Sequence, residues 1–460
     1  ETTKMHVAIV GGSDAGIEAA RRCLELDPGV QVSLLVADAY PNFSICGIPY
    51  HVSGEVPDWR NLAHRGSDDL ERLGITLMLD HRVTSLEVPL RTLSFMHDGR
   101  AGSLSYDRLL LATGANPRRP PITGLDRLGP EDGVHVLHTM PETFALTDTV
   151  GQLPTGSTAV IVGAGYVGLE MAEALTTRGL HVVVVEQLPQ VLPRTLDAEL
   201  AASVERHLRE QGVQVHCGST VEAIERVGNA LEVIVDGDRL SAGLVLVATG
   251  VAPATELAVD AGLELGAAGA IAVDRQMRTG IEGVWAAGDC VHTHHRLLDD
   301  PGYLPLGTTA HKQGRVAGDN VMGGNLEYAG TLGTQAVRLF DRVAAATGLR
   351  DPEAQDAGFD PLTIQVDVDD HKAYYPGATP LSVRLTGDRG TGRLIGGQLL
   401  GSYGAEVSKR IDILAAAIHN GNTVADLADL DLSYTPPLGS PWDAIQQAAH
   451  TWQTARSRRG

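Results

Sequence analysis

Ala159-Val160-Ile161-Val162-Gly163-Ala164-Gly165-Tyr166-Val167-Gly168 is the stretch that decides the fold of this chain. Its four leading apolar residues predict a buried strand. The G-x-G-x-x-G run from Gly163 to Gly168 then predicts a turn that opens a helix over 169–178. The first glycine makes the turn, the second lets a pyrophosphate approach the backbone, and the third packs the helix on the strand. With a further strand over 181–185, the stretch predicts a β-α-β unit that binds a dinucleotide.

The end of that last strand predicts which dinucleotide is bound. Glu186 stands where a carboxylate can accept hydrogen bonds from both ribose hydroxyls. Gln187 follows it, at a position where a binder of a 2′-phosphate would favour Arg. The pair favours NADH over NADPH.

The same arrangement occurs earlier in the chain. A strand over 7–10, the turn Gly11-Gly12-Ser13-Asp14-Ala15-Gly16, a helix to about 26 and a strand over 31–36 form a second β-α-β unit, with Ser13 at the middle glycine position. Ala-Thr-Gly ends a strand in both halves, at 112–114 and at 248–250. We interpret this as an internal duplication of a nucleotide-binding unit. Gly288-Asp289 closes a strand over 284–287, and Asp289 can hold a ribityl or phosphate-side hydroxyl.

Composition limits the class of protein. The 460 residues are too many for one core and predict two or three domains. With 36 basic and 57 acidic residues the net charge is −21, which disfavours nucleic acid and anionic membranes as partners. We expect no signal peptide and no membrane span. The four cysteines share no C-x-x-C spacing, which favours free thiols in a reducing, cytoplasmic setting.

From about residue 330 the sequence changes character. Short strand candidates over 363–368 and 382–385 precede two helices, roughly 405–420 and 423–430, and no nucleotide motif occurs. We interpret this part as a separate α+β domain.

Cys46 lies shortly after the first glycine turn, in Tyr40-Pro-Asn-Phe-Ser-Ile-Cys46-Gly-Ile-Pro-Tyr50. The other cysteines, at 23, 217 and 290, lie in apolar contexts and are expected to be packed thiols. Two dinucleotide units and one cysteine beside the first favour a flavoprotein. Electrons would then pass from a nicotinamide to a flavin and on to sulfur.

Taken together, these residues resemble the single-cysteine branch of the flavin-dependent pyridine nucleotide–disulfide oxidoreductases. That branch contains coenzyme A-disulfide reductases, NADH oxidases and peroxidases, and persulfide or polysulfide reductases. The resemblance covers nearly the whole chain. Its segments are Phe43, Cys46-Gly-Ile-Pro-Tyr50, Gly163-Ala-Gly-Tyr-Val-Gly-Leu-Glu170, Val185-Glu-Gln-Leu-Pro189, Ala287-Gly-Asp289, Lys312-Gln-Gly-Arg315, Lys409-Arg-Ile-Asp412 and Tyr434-Thr-Pro-Pro437.

The resemblance implies an α/β protein with two Rossmann-like domains, one for FAD and one for NAD, and a C-terminal α+β dimerisation domain. The implied domains are 1–118 with 247–328 for FAD, 119–246 for NAD, and 329–460 for dimerisation in a homodimer. The implied cofactor-binding residues are Gly11, Gly12, Ser13, Gly16, Asp38, Ala112, Thr113, Gly114, Gly163, Gly165, Tyr166, Gly168, Glu170, Glu186, Gly250, Gly288 and Asp289. No metal is expected.

The implied catalytic residues are Cys46 and Tyr434. In this family the C-terminal domain of one subunit approaches the cysteine of the other, which makes Tyr434 a candidate proton donor. Packing in the core is an equally good interpretation of Tyr434, and Tyr374 and Tyr375 are weaker candidates.

The chain departs from the family pattern at several positions. His51 replaces the second cysteine of two-cysteine relatives, so no internal disulfide can form. The acid for the FAD adenosine ribose falls at Val36, with only Asp38 nearby. Asp14 stands where oxidases and peroxidases have His, and Ile45 replaces a polar residue. An acid beside the reactive thiol would raise its pKa.

The predicted function is therefore hydride transfer from NADH to FAD, followed by reduction of a small disulfide, persulfide or polysulfide at Cys46. One alternative is an NADH oxidase or peroxidase in which Cys46 cycles as a sulfenate. Others are a flavin reductase that passes electrons to a protein partner, and a flavin-bound redox sensor.

Overall fold

The computed structural model describes residues 4–458. The first part of the chain forms a parallel sheet with helices and an antiparallel meander. Its elements are β1 (His6–Val10), α1 (Asp14–Leu26), β2 (Gln31–Leu35), α2 (Ile48–Ser53), α3 (Ser67–Arg72), β3 (Ile75–Met78), β4 (Arg82–Glu87), β5 (Thr92–His97), β6 (Arg100–Ser105), β7 (Arg108–Leu111) and β8 (Ala115–Pro117).

The second part repeats this plan. Its elements are β9 (Val134–His135), α4 (Met140–Gln152), β10 (Thr158–Val162), α5 (Tyr166–Thr177), β11 (His181–Glu186), α6 (Ala198–Glu210), β12 (Gln214–Cys217), β13 (Val221–Val227), β14 (Ala230–Val235), β15 (Asp238–Ala242), β16 (Leu244–Val247), β17 (Val251–Pro253) and α7 (Glu256–Asp260).

The last part returns to the first sheet and then forms a sheet of its own. Its elements are β18 (Val284–Ala286), α8 (Gly307–Val321), β19 (Gln335–Leu339), β20 (Arg342–Gly348), α9 (Asp351–Asp356), β21 (Pro361–Asp369), β22 (Pro380–Asp388), β23 (Leu394–Ser402), α10 (Val407–His419), α11 (Val424–Asp429) and α12 (Ala444–Ser457).

The two parallel sheets are counterparts of each other. The first has the order β18-β7-β1-β2-β3 and the second the order β12-β11-β10-β16-β9. In both, the strand before the glycine turn is central and pairs with the strand after the helix, Ala8 opposite Ser33 and Val160 opposite Val183. Central strands of a parallel sheet are covered on both faces, which explains their continuous apolar sequences. The predicted α/β class with two Rossmann-like units is confirmed.

A short ribbon connects the two units. β8 and β17, which follow the two Ala-Thr-Gly sequences, pair antiparallel, with Asn116 opposite Ala252. The chain thus leaves the first unit and returns to it through adjacent strands. The exact domain boundaries predicted at 118/119, 246/247 and 328/329 stay predictions.

The C-terminal part is an antiparallel sheet of order β19-β20-β23-β22-β21 covered by α10 and α12. Both helices predicted from the sequence are present. The sequence analysis did not predict α12, whose Trp452 is fully buried and donates from Nε1 to the carbonyl of Leu362 (2.7 Å). Gly387 makes room for that indole, since a Cβ there would lie 2.4 Å from Trp452 Cζ2. Two three-stranded meanders, β4-β5-β6 and β13-β14-β15, were also not predicted.

Among residues 4–458, no helix combines the length and the apolar character that crossing a membrane requires.

Candidate active site

The two glycine turns have the same backbone geometry. Gly11 has φ +117° and Gly163 φ +109°, conformations that favour glycine. A Cβ on Gly11 would lie 1.9 Å from the carbonyl oxygen of Ala112, and one on Gly163 would lie 2.2 Å from that of Ala248. Each turn therefore presses against the strand that ends in Ala-Thr-Gly, and this contact explains why both sequences recur together.

The later positions of the two turns are occupied by glycine for different reasons. A Cβ on Gly16 or Gly168 would meet the carbonyl oxygen of the first glycine of its own turn at 2.0 or 2.2 Å, so the fold itself requires glycine at both positions. Gly165, in contrast, has open space at its Cβ position: beyond its chain neighbours and its own helix backbone, no atom of residues 4–458 lies within 4 Å. The open space above Gly165 fits the close approach of a pyrophosphate. Ser13 holds the matching position of the first turn and precedes α1 as its N-cap residue.

The acid at the end of the second strand is present in only one unit. Glu186 is buried and accepts hydrogen bonds from the N–H of Ala164 (Oε2, 2.8 Å) and of Leu188 (Oε1, 2.9 Å). Each carboxylate oxygen keeps a second lone pair for a ligand. In the first unit the matching place belongs to Val36, which packs on Gly12, where a Cβ would lie 2.5 Å from Val36 Cγ2.

Asp38 does not occupy the position in the first unit that Glu186 has in the second. It lies half-buried in the following loop, and its Oδ1 accepts from the N–H of Tyr40 (2.9 Å). Burial raises the pKa of the Asp38 carboxyl, and Asp80 adds to the shift. Its assignment as a cofactor-binding residue stays a prediction.

The first unit has features that fit a flavin dinucleotide at the ends of its strands. Thr113 donates from Oγ1 to the carbonyl of Ala254 and fixes the loop after β7. Gly114 and Gly250 take φ values of +70° and +91° in the two crossing loops. Gln313 accepts from the N–H of Gly288 (3.0 Å), while its fully buried Nε2 has no hydrogen-bond partner within residues 4–458. A buried donor without a partner is costly, and an acceptor group on a ligand would satisfy it.

Asp289 comes directly after Gly288 and is half-buried. Burial and the nearby Asp14 raise the pKa of the Asp289 carboxyl to about 6. A ligand hydroxyl or amide that donates a hydrogen bond to the Asp289 carboxylate would therefore stabilise its charged form.

Cys46 lies between the two units. It belongs to a 3-10 turn, Ile45–Gly47, that leads directly into α2, and α2 packs against α5 of the second unit. Gly47 is needed there, because a Cβ would lie 2.8 Å from Leu62 Cδ2. Cys46 is the one exposed cysteine of the four; Cys23 and Cys290 are buried, as predicted, whereas Cys217 is half-buried with Sγ 3.8 Å from Glu205 Oε2.

The three titratable side chains that act on Cys46 are carboxyl groups. Partial loss of hydration raises the pKa of the Cys46 thiol, and Glu170, Asp14 and Asp289 raise it further. Glu170 comes from the second unit, whereas Asp14 and Asp289 come from the first. The expectation that Asp14 raises the pKa of the thiol is thereby supported. A raised pKa favours the thiol over the thiolate, and the thiol must lose its proton before the sulfur can react as a nucleophile.

Glu170 and its neighbours form the wall on the side of the second unit. Burial and Glu173 raise the pKa of the Glu170 carboxyl to about 8, while a hydrogen bond from Tyr50 lowers it. Tyr166, one turn before Glu170 at the start of α5, donates from its hydroxyl to the carbonyl of Ala336. This bond ties the glycine turn of the second unit to β19.

Tyr434 lies far along the chain, after α11, with 42% of its surface exposed. Tyr374, which is 72% exposed, raises the pKa of the Tyr434 hydroxyl. The alternative of core packing for Tyr434 does not match this exposure. Its role as proton donor stays a prediction.

Sequence reasoning missed three contributors to this region. Gln313 and Tyr50 each belong to a family motif that predicts no role for the single residue, and no motif points to His311. Their positions depend on the packing of α8 and α2, for which no local sequence signal exists.

The chain has two dinucleotide-binding units and a cysteine between them. These features define a class of oxidoreductases. The model for "Pyridine nucleotide-disulphide oxidoreductase" matches residues 5–314, and that for its dimerisation domain matches residues 334–444. The chain belongs to the pyridine nucleotide-disulphide oxidoreductase family, whose members use FAD and a nicotinamide dinucleotide.

Several relatives and solved structures are similar over nearly the whole chain. The "NAD(P)H sulfur oxidoreductase (CoA-dependent)" of Pyrococcus furiosus is 35% identical over 96% of this chain and 98% of its own length. An "NADH oxidase" of Methanocaldococcus jannaschii is 31% identical over 97% of this chain and 98% of its own length. The structure of a NAD-dependent persulfide reductase from A. fulgidus superposes with a TM-score of 0.94 at 36% identity, over 99% of this chain and 84% of that one.

Proposed function

We propose that this protein is an FAD-dependent NADH:disulfide oxidoreductase that reduces a small disulfide, persulfide or polysulfide through Cys46. The relatives described above that act on sulfur support the substrate class. The preference for NADH is supported by Glu186, whose buried carboxylate would accept from a 2′-hydroxyl and repel a 2′-phosphate.

The observation that carries the proposal is the position of Cys46. Its thiol responds both to Asp14 and Asp289 of the first unit and to Glu170 of the second. The Cys46 sulfur therefore lies close enough to both cofactor-binding units to respond to their carboxyl groups. Its side chain is exposed, so a small substrate can reach it from solvent.

When bound, FAD would accept a hydride from NADH and provide two electrons for the reduction of sulfur. Glu186 would hold the adenosine ribose of NADH, and Gly165 would leave room for its pyrophosphate. Cys46 would attack the sulfur–sulfur bond of the substrate and form a mixed disulfide or persulfide. Gln313 would donate from Nε2 to a polar edge of the flavin cofactor, satisfying its buried amide.

We further propose that the protein acts as a homodimer in which Tyr434 serves the cysteine of the other subunit. The matched dimerisation domain supports the dimer. Tyr374 and Tyr434, two exposed tyrosines that act on each other's surroundings, support a role at a surface that a second copy covers. Tyr434→Phe is expected to lower acceptor turnover without changing the reduction of FAD by NADH. Sedimentation at assay concentration would test the dimer.

The acceptor is identified by a panel assayed through NADH consumption: coenzyme A disulfide, polysulfide, hydrogen peroxide and oxygen. We expect turnover with a sulfur acceptor that Cys46→Ser abolishes while FAD stays bound and its reduction by NADH stays nearly intact. Cys23→Ser, at a buried thiol on α1 that already donates to the carbonyl of Gly318, is the matched control. Wild-type rates in Cys46→Ser with every acceptor would refute the sulfur mechanism and favour electron transfer to a protein partner.

The second candidate is an NADH oxidase, which the M. jannaschii relative favours. The oxygen and peroxide arms of the same panel decide between the two. Turnover with oxygen that exceeds turnover with every sulfur acceptor would replace the first proposal by the second.

A further inference from the structure

The C-terminal part exposes aromatic side chains on three of its loops. The first loop spans 370–379, between β21 and β22, the second spans 403–406, between β23 and α10, and the third spans 430–443, between α11 and α12. The exposed aromatic side chains on these loops are Tyr374, Tyr375, Tyr403, Tyr434 and Trp442.

The three loops adjoin one another. The N–H of Lys372 in the first loop donates to the carbonyl of Pro436 in the third (3.3 Å). Thr379, at the end of the first loop, and Ser402, next to the second, share a hydrogen bond of 2.8 Å between their hydroxyl groups. The exposed aromatic side chains therefore lie on neighbouring loops, and aromatic residues grouped on a surface are typical of a protein interface.

One arginine beneath these loops holds all three of them. Arg410, on the inward face of α10, is only 4% exposed. It donates from Nη2 to the carbonyl of Asp370 in the first loop (2.8 Å) and from Nη1 to the carbonyl of Ala405 in the second. In the third loop, Nη2 lies 3.4 Å from the carbonyl oxygen of Leu438, and Nε lies 3.3 Å from Asp443 Oδ2.

These contacts depend on the shape of the guanidinium group. Its N–H donors form a planar fork that can reach acceptors in several directions at once. Three of the four acceptors are backbone carbonyls, so the contacts fix the main chain of each loop. A lysine ammonium at the same place would carry three donors on one atom, and some of the acceptors would stay unpaired. A buried acceptor without a partner is costly.

We propose that Arg410 is a positioning residue that holds the three loops as one surface, and that a second copy of this chain docks on that surface. The model for the dimerisation domain matches residues 334–444, which include all three loops. The inference rests on the proposed function, in which the protein acts as a homodimer. It adds the residue that orders the interface and, through Tyr434, acts on the cysteine of the other subunit.

The physical reason is the entropy of the loops. Without the guanidinium group, each loop gains freedom that docking of a second copy has to remove again. Ordering a flexible loop on binding costs free energy that a preorganised loop does not lose. Replacement of Arg410 is therefore expected to weaken the dimer, although the exposed aromatic side chains themselves stay unchanged.

Arg410→Lys tests the proposal in the FAD-loaded protein. The rate of subunit exchange is measured by energy transfer between copies labelled at the N-terminus with two fluorophores. We expect exchange to become at least about tenfold faster, the size that corresponds to the loss of one or two hydrogen bonds of a buried charged group. Turnover with the sulfur acceptor should fall, while the reduction of FAD by NADH stays unchanged. Exchange at the wild-type rate in a folded Arg410→Lys would overturn the proposal.

Arg456→Lys is the matched control. Arg456, on α12, also donates to two backbone carbonyls of one loop, those of Arg389 and Gly390 (2.9 Å each). That loop is separate from the three that carry the aromatic side chains. Arg456→Lys should destabilise the same domain without changing the exchange rate. Equal acceleration in both variants would show that Arg410 acts only through the stability of the domain, and would overturn its positioning role.

Asp443→Asn keeps the proposal testable if Arg410→Lys does not fold. Asp443 Oδ1 accepts from the N–H of Ile445 (3.1 Å) and caps α12, whereas Oδ2 faces Arg410. Asparagine is an equally good N-cap residue, but its NH₂ group would face the N–H of Arg410 Nε. A smaller acceleration of exchange is expected. If Arg410→Lys does not fold, an unchanged rate in Asp443→Asn would overturn the proposal.

The outcomes separate this inference from the proposed function. If Cys46→Ser retains sulfur turnover, the proposed function fails. If the wild type sediments as a monomer, the homodimer fails and the docking surface with it. If the wild type is a dimer, Cys46→Ser is inactive and Arg410→Lys exchanges at the wild-type rate, only the role of Arg410 fails. Faster exchange with unchanged turnover would support the surface and refute the proposed role of Tyr434.

Discussion

Glu186→Gln is expected to shift coenzyme preference away from NADH. The substitution removes one negative charge at the end of β11 and leaves the size of the side chain unchanged. In the wild type both carboxylate oxygens are engaged, with the N–H of Ala164 at 2.8 Å and that of Leu188 at 2.9 Å. A glutamine has only one acceptor oxygen, and its NH₂ group would face the other backbone N–H. The side chain then accepts less well from a ribose hydroxyl.

The size of the effect follows from the bond that is lost. A hydrogen bond to a charged group contributes about 1.5–3 kcal/mol, which corresponds to roughly 10- to 150-fold in kcat/KM for NADH. NADPH has no 2′-hydroxyl to lose, and its 2′-phosphate no longer meets a carboxylate. Its kcat/KM is therefore expected to stay unchanged or to rise.

The prediction is tested by the ratio of steady-state kcat/KM for NADH to that for NADPH, both measured with the same acceptor. Glu222→Gln, at an exposed glutamate on β13, removes the same charge without touching the turn and serves as the control. A ratio of NADH to NADPH that stays the same or rises in Glu186→Gln would refute the reasoning. Equal or better kcat/KM with NADPH in the wild type would refute the predicted preference itself.

Three further predictions concern the cofactor and the fold. The purified protein should be yellow and release one FAD per chain on denaturation; a colourless protein that cannot be reconstituted with FAD would contradict the expected cofactor. Gly163→Ala places a Cβ 2.2 Å from the carbonyl oxygen of Ala248 at φ +109°, so the free energy of unfolding should fall by at least about 1–3 kcal/mol. Gly151→Ala, inside α4 and with open space around it, should instead raise it by up to about 1 kcal/mol in the same denaturant titration; equal losses would be evidence against the steric argument. Burial and Asp14 raise the pKa of Asp289 to about 6, above its ordinary value of 3.8. The stability this group contributes is therefore present below about pH 4 and lost as the pH rises through about 6. In the FAD-free protein, the Tm of the wild type should fall relative to that of Asp289→Asn over this range, and a constant difference would show the pKa to be unshifted.

Much of the site's chemistry could be predicted before the tertiary structure because it resides in short, local signals. A glycine with positive φ, a strand on either side of it and an acid at the next strand end are all encoded within about thirty residues. Gly163, Gly168 and Glu186 lie where these signals place them. The duplication could be read in the same way, since both units repeat the same order of strand, turn, helix and strand.

Elements with weaker local patterns were not predicted. The meanders β4-β5-β6 and β13-β14-β15 have short, partly exposed strands, whose alternation is difficult to separate from loop sequence. α12 has a polar face and few apolar residues, and it is recognisable mainly through Trp452, which packs against Gly387. Such elements gain most of their stability from packing partners distant in sequence.

The sequence by itself determined that this chain has two dinucleotide-binding units, a cysteine beside the first and an α+β domain at the end, because each depends on contacts between near neighbours. Only the tertiary structure decided what surrounds the cysteine. Glu170 from α5 and Asp289 after β18 act on Cys46 from more than a hundred residues away in the chain, and Asp14 from α1 acts with them. His311 lies near Asp14 only because α8 packs closely on α1. The pKa of a thiol is set by all charges within a few ångströms, whatever their distance in sequence.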